Sequence, residues 1–229
     1  MSIAAVAISV FVVGSTTAMI MERKYKFDKQ FLSDLGIRYT SVGAGAKLAS
    51  AHFPEVFNIT LIVTGLLISP FFFGVYKTLK PEKKYQKFFF IGTSIMGVFS
   101  GISLALVGVF DLGYFYYAHM LVAGLFYVGA MITALSWGIG VLLLDKNSPY
   151  KQSKVWIIDP IMSVFILFVG LINSTLGQAF PEIFGFISMP LYQKIYVYVI
   201  FVLMSVIIIR FFLLLKKEKK ARLLETSVN

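Results

Sequence analysis

The chain has no cysteine, and only 14% of its 229 residues are charged. The first absence excludes disulfides, thiolate metal sites, iron–sulfur clusters and a thiol nucleophile. The second excludes an ordinary water-soluble fold, in which about a quarter of the residues are charged. Two histidines leave little material for imidazole chemistry. No glycine-rich phosphate loop, nucleophile elbow or kinase signature appears, and no cofactor is expected. What remains is apolar: 58% hydrophobic residues, 23 Phe and a mean hydropathy of +0.83. The net charge of +10 does not indicate nucleic acid as a partner, because Lys and Arg mostly flank long apolar runs.

Crossing a bilayer core of roughly 30 Å takes about 20 mostly apolar residues in helix. Six stretches qualify: 2–21, 56–76, 88–110, 114–144, 156–178 and 195–215. They are too long for strands and lack the alternation of barrel strands. The expected fold is an all-α, polytopic membrane protein in the cell membrane, with one six-helix domain over 1–215 and a basic tail over 216–229. The first stretch lacks the basic flank and the cleavage pattern of a signal peptide, so it is expected to be retained. In a six-span arrangement thirteen Lys and Arg lie on one side, in 77–87, 145–154 and the tail, against seven in 22–55 and 177–194. That bias predicts both termini in the cytoplasm. The basic 22–55 segment is the exception.

Residues 22–55 carry Phe27, Phe31, Leu32, Leu35, Ile37 and Tyr39. This predicts an ordered outer flap, since long loops with their own apolar residues are usually functional. Ser33-Asp34-Leu35-Gly36 reads as a turn, and Gly43-Ala44-Gly45-Ala46 as a point of close backbone approach. His52, His119, Asp34 and Asp111 fall toward this outer side, with Glu55, Asn58, Asn173 and Gln178. Two imidazoles and several carboxylates supply the donor types of a divalent metal site or an acid–base pair. The metal candidates are His52, His119 and Asp111, and the catalytic candidates add Asp34. No His-x-x-x-His spacing forces these residues to converge.

Two charges fall inside apolar runs, where a charge is a functional hypothesis by default. These are Asp159 and Arg210, at similar depth on sequential spans, and they are expected to form a structural ion pair. Two local readings compete, with Asp159-Pro160 as a helix cap and Arg210 snorkelling to the headgroups. Gly97 and Gly101, with Gly124, Gly129 and Gly138, suggest close helix packing. Phe71–Phe73 and Phe88–Phe90 are expected to face lipid or the interface.

Several short motifs occur in a set order: Leu32-Ser33-Asp34-Leu35-Gly36, then 57–67 (FNITLIVTGLL), then Gly101 with Leu106-Val107-Gly108-Val109-Phe110, then His119 with Ala123 and Phe126. In these the first 140 residues resemble the prokaryotic membrane family of unknown function DUF998, and more distantly the Frag/DRAM/Sfk-type six-helix proteins. The resemblance implies six helices and an outer-face polar group drawn from Asp34, Asn58 and His119, with no established reaction. The expected role is a non-catalytic component that contacts membrane lipids, other membrane subunits or a second copy. The alternatives are a lipid-modifying enzyme with an outer-leaflet polar cleft and a small transporter.

Overall fold

A computed structural model describes residues 2–38, 41–43, 46–48, 50–79, 81–146, 148, 150–151, 156–172 and 188–228, with 2, 41–43, 46–48, 215 and 217–228 as backbone alone. Among the described residues six helices carry the fold: α1 (Ser2–Met21), α2 (Pro54–Leu79), α3 (Lys84–Val109), α4 (Tyr116–Leu143), α5 (Ile158–Leu171) and α6 (Met189–Val228). Five of them, all but α5, are long and apolar enough to cross a membrane. The chain is a multi-pass integral membrane protein. α5 has 14 described residues, about 21 Å at 1.5 Å per residue; the end of the span expected over 156–178 lies outside the described residues from 173 onward.

The helices close into a ring in chain order. Each of α1 to α5 packs against the next, and α6 returns to α1. Phe11 stacks on Phe201 across that closure, with ring centroids 4.1 Å apart. Hydrocarbon around the ring gives helices no hydrophobic reason to associate, so packing has to come from close contact. At the α2–α3 seam a Cβ on Gly65 would run into the Gly101 carbonyl. One on Gly97 would enter the Phe72 ring, and one on Gly101 would meet Ser69. Gly129 meets Ser100 and Gly138 meets Ser163. Gly124 has nothing within 4 Å, so the close-packing role read for it from sequence does not hold.

Side-chain direction corrects a second expectation. Phe73 and Phe88 point outward, but Phe72 and Phe90 are buried. A helix turns about 100° per residue, so three consecutive phenylalanines cannot share one face. The outer surface of the ring is apolar, with Ile59, Leu66, Ile95, Leu121, Val164, Phe168, Val202 and Ile209 exposed.

α2 and α6 extend beyond their apolar runs at both ends. α6 begins at Met189 and continues through the basic tail for 40 residues, about 60 Å. The tail residues Lys, Glu, Ala, Arg and Leu are strong helix formers, so the helix has no reason to stop at the last apolar residue. At its start Pro190 sits in the first turn, where a missing N–H costs nothing. This places Lys194 within the helix and buried, not in the preceding loop where its charge suggested.

The fold class is all-α, as expected, and the flap between α1 and α2 adds only short local structure where described. A 3-10 turn at Leu32–Gly36 precedes a hairpin of β1 (Ser41–Gly43) and β2 (Ala46–Leu48), antiparallel with Gly43 opposite Ala46. Gly43 and Ala46 pair with each other in this ladder, and Ala44 and Gly45 between them lie outside the described residues.

Candidate functional site

The polar residues divide between the two ends of the ring. At the flap end Asp34 closes its own 3-10 turn, with Oδ2 accepting the Phe31 N–H at 2.8 Å. Asn58, near the start of α2, donates to Gly36 O at 3.0 Å. Leu32 N–H donates to Gln193 of α6 at 2.8 Å. The flap is thus tied to both α2 and α6. Lys194 donates to Gln30 O and lies over the rings of Tyr25 and Phe27, 5.2 and 5.0 Å from their centroids.

Glu22 directly follows α1. Its carboxylate accepts the backbone N–H of His52 at 2.8 Å and the ring Nδ1 at 2.9 Å, stapling the two ends of the flap together. Partial burial works against the charge of Glu22, but the His52 contacts outweigh it and hold the carboxyl below its ordinary range. Burial raises Asp34, against the pull of the Phe31 N–H and the Lys194 charge. Tyr25 is raised by burial and by the Asp34 charge.

These groups enclose a cleft of about 430 Å³ lined by Glu22, Lys24, Tyr25, Gln30, Asp34, Leu35, Ile37, Ser50, Ala51 and His52. Small-molecule sites occupy about 300–1,000 Å³. The cleft is therefore large enough for a ligand, and half its lining is polar and titratable. His119 lines a different cavity, of about 40 Å³, beside Ser33, Tyr127 and Gln193. Its Nδ1 donates to Phe110 O at 2.6 Å, satisfying a carbonyl left open at the end of α3. Asp111 accepts the N–H groups of Gly113 and Tyr114, both at 2.9 Å, and so orders the turn into α4. Asp34 and His52 share the cleft, while His119 and Asp111 serve backbone elsewhere. Among the described residues no three His, Asp or Glu side chains are placed to hold a metal ion.

The opposite end holds a buried polar cluster. Arg210 Nη1 lies 2.7 Å from Asp159 Oδ2, with both side chains buried. The Tyr150 hydroxyl donates to the same oxygen at 2.5 Å, and the guanidinium sits 5.5 Å from the Tyr150 ring centroid. Trp137 packs edge-on against that ring at 5.6 Å. α5 starts at Ile158 without a side-chain cap, so the Asp159 carboxylate turns inward instead of capping, and Arg210 turns inward with it. Around the cluster, Gln86 donates to Leu143 O at 3.0 Å, and Lys151 donates to the Leu142 and Leu144 carbonyls at 2.7 Å. The exposed Lys83–Asp145 pair, 2.7 Å apart, raises the lysine and lowers the carboxyl. Sequence reasoning missed Tyr150, Gln86, Glu22 and Gln193. Only Glu22 carried a signal, as the acid immediately after an apolar run.

A family model described as "Protein of unknown function (DUF998)" matches residues 4–210. The chain belongs to the DUF998 family. The match extends well past the 140 residues on which the resemblance rested, so the last two helices are part of the family pattern; it gives no support to the Frag/DRAM/Sfk-type relation. No curated protein and no solved structure matches. In this DUF998 chain the Leu32–Gly36 motif is the turn that positions Asp34 and receives Asn58. The 57–67 motif supplies Asn58 and the Gly65 packing seam, and the Leu106–Phe110 motif ends on the carbonyl that His119 caps.

Proposed function

We propose that this DUF998 protein is a non-catalytic membrane component that holds phospholipid at its flap end. The reading includes six spans in the cell membrane, both termini cytoplasmic and the flap outside. One observation carries it: the roughly 430 Å³ polar cleft between Glu22 and His52. These residues sit directly after Met21 of α1 and two residues before Pro54 of α2, so the cleft lies at headgroup depth beside an apolar helix surface. A lipid tail lies against that surface while its headgroup enters the cleft. The catalytic candidates favour a binding role over turnover, since His119 Nδ1 and Asp111 Oδ1 bond to the backbone. The apolar exterior leaves room for contact with further subunits or a second copy.

The test is lipid analysis of protein purified in mild detergent. Phospholipid is expected to co-purify near one per chain, and Ser50→Trp, which fills the cleft, is expected to lower that number without unfolding the helices. Protein that retains no lipid, or that turns lipid over with a dependence on His119, overturns the reading. The absence of native cysteine makes orientation simple to measure. A single cysteine at Lys29 is expected to react with an impermeant maleimide from outside intact cells, and one at Lys84 is not.

A further inference from the structure

The described bases of the flap between Glu22 and Arg38 are Arg23, Lys24, Lys26, Lys29 and Arg38, and only Lys24 lines the cleft. Of the three acids in that stretch, Glu22 and Asp34 line it and only Asp28 does not. A protein of net charge +10 therefore lines this ligand-sized cleft with more carboxylate than ammonium. The end of α1 adds to this. Its last turn carries no basic residue, and a helix C-terminus presents partial negative charge from its open carbonyls. Lys194 shows what the flap accepts: its ammonium is seated on Gln30 O and over two aromatic rings, the ordinary recognition geometry for such a cation. That fixed charge also faces Asp34 and offsets it in part. With Lys24 at the lining, the surroundings fit a guest of mixed charge better than a bare cation.

We propose that the cleft selects a zwitterionic, amine-bearing phospholipid headgroup, its ammonium between Glu22 and Asp34 and its phosphate toward Lys24 and His52. The proposal rests on the lipid-holding reading and names the headgroup class. Phosphatidylglycerol offers the same phosphate without an ammonium, so it brings no counter-charge to the two carboxylates. Discrimination of this kind comes as much from the penalty on the wrong guest as from attraction to the right one. Losing one charge-assisted contact predicts a preference of about tenfold.

The test is a binding titration on the full chain in micelles, read by thermal shift. It uses dihexanoyl phosphatidylethanolamine, dihexanoyl phosphatidylglycerol and free O-phosphoethanolamine. The ethanolamine lipid is expected to bind about tenfold tighter than the glycerol lipid. Asp34→Asn, which keeps an acceptor for the Phe31 N–H and hence the turn, is expected to collapse the preference. Glu22→Gln is expected to do the same, and if it loosens the flap by losing His52, Asp34→Asn alone decides. Lys29→Gln, exposed and away from the cleft, is expected to change nothing. Equal binding of the two lipids overturns the headgroup selection and leaves the lipid reading standing, whereas binding of neither overturns both. O-phosphoethanolamine binding as tightly as its lipid makes the guest a soluble phosphoamine and overturns the lipid assignment. A preference that survives both carboxylate substitutions also overturns the proposal.

Discussion

Arg210→Met removes one partner of the buried pair and leaves the Asp159 carboxylate with the Tyr150 hydroxyl in an otherwise apolar setting. At 2.7 Å the pair attracts by about 6 kcal/mol at an effective dielectric of about 20. Desolvation of each ion offsets several kcal/mol of that, so the intact pair contributes little net stability. The single substitution has no such cancellation, because the desolvation cost of Asp159 stays while its counter-charge goes. The expected loss is about 3–5 kcal/mol. Asp159→Asn is expected to cost a comparable amount, since it strands the guanidinium. The double variant, with no charge to strand and an amide oxygen still available to Tyr150, is expected to cost no more than either single substitution, which makes the coupling energy at least about 3 kcal/mol. The assay is unfolding in mixed micelles by SDS titration. Trp137 reports once Trp156→Phe removes the other indole, because its ring lies 5.6 Å from Tyr150. A loss below about 1 kcal/mol for Arg210→Met places the pair in solvent-like surroundings and refutes the reasoning. Strict additivity in the double variant does so too.

Three further outcomes are expected. Gly65→Ala drives a Cβ into the Gly101 backbone and is expected to cost about 1–3 kcal/mol as overpacking, while Gly124→Ala, facing open space, is expected to be neutral or to gain up to about 1 kcal/mol; the same SDS titration ranks them. His119→Leu strands the Phe110 carbonyl and is expected to cost about 1–3 kcal/mol, with lipid retention falling only as far as folded protein does. The third concerns pH. Glu22 is lowered in the fold from 4.5, so its contribution to flap closure is complete above about 4.5 and is lost as pH falls through the lower folded value. Asp34 is raised from 3.8, so its ionisation opposes closure and protonation relieves it. Cleavage of the flap by an acid-active protease is expected to rise below about pH 4.5, to lose that rise in Glu22→Gln and to steepen in Asp34→Asn.

Length and hydropathy alone made five spans legible, because a bilayer demands about 20 apolar residues whatever they touch. The helix ends were not legible in the same way. α6 runs through Lys216 and beyond because helix propensity does not change at the membrane surface, and Lys194 belongs to the helix because the flap provides carbonyls and rings to receive its ammonium. Asp159 and Arg210 stood out as charges within apolar sequence. Tyr150 did not, since a tyrosine in a polar loop draws no notice until the loop folds back over the ring of helices. His52 and His119 shared a side of the membrane in the sequence, but depth is one coordinate only. The partners that separate them, Glu22 for one and the Phe110 carbonyl for the other, depend on how the flap and the α3–α4 turn fold.

The two ends of the ring use their polar groups differently, and that contrast bears on the proposed lipid site. At the Arg210 end, Gln86 and Lys151 spend their donors on the open carbonyls of α4, and Tyr150 and Arg210 converge on a single carboxylate oxygen. Those donors are met within that end. At the flap end the carbonyls of α1 receive no basic side chain from the last turn, and Glu22 and Asp34 face a cleft with room for a guest. Helix termini leave open backbone groups that have to be met by side chains, water or a ligand. On the lipid-holding proposal, the flap cleft, with Glu22 and Asp34 on its wall, is the place where a ligand meets such groups.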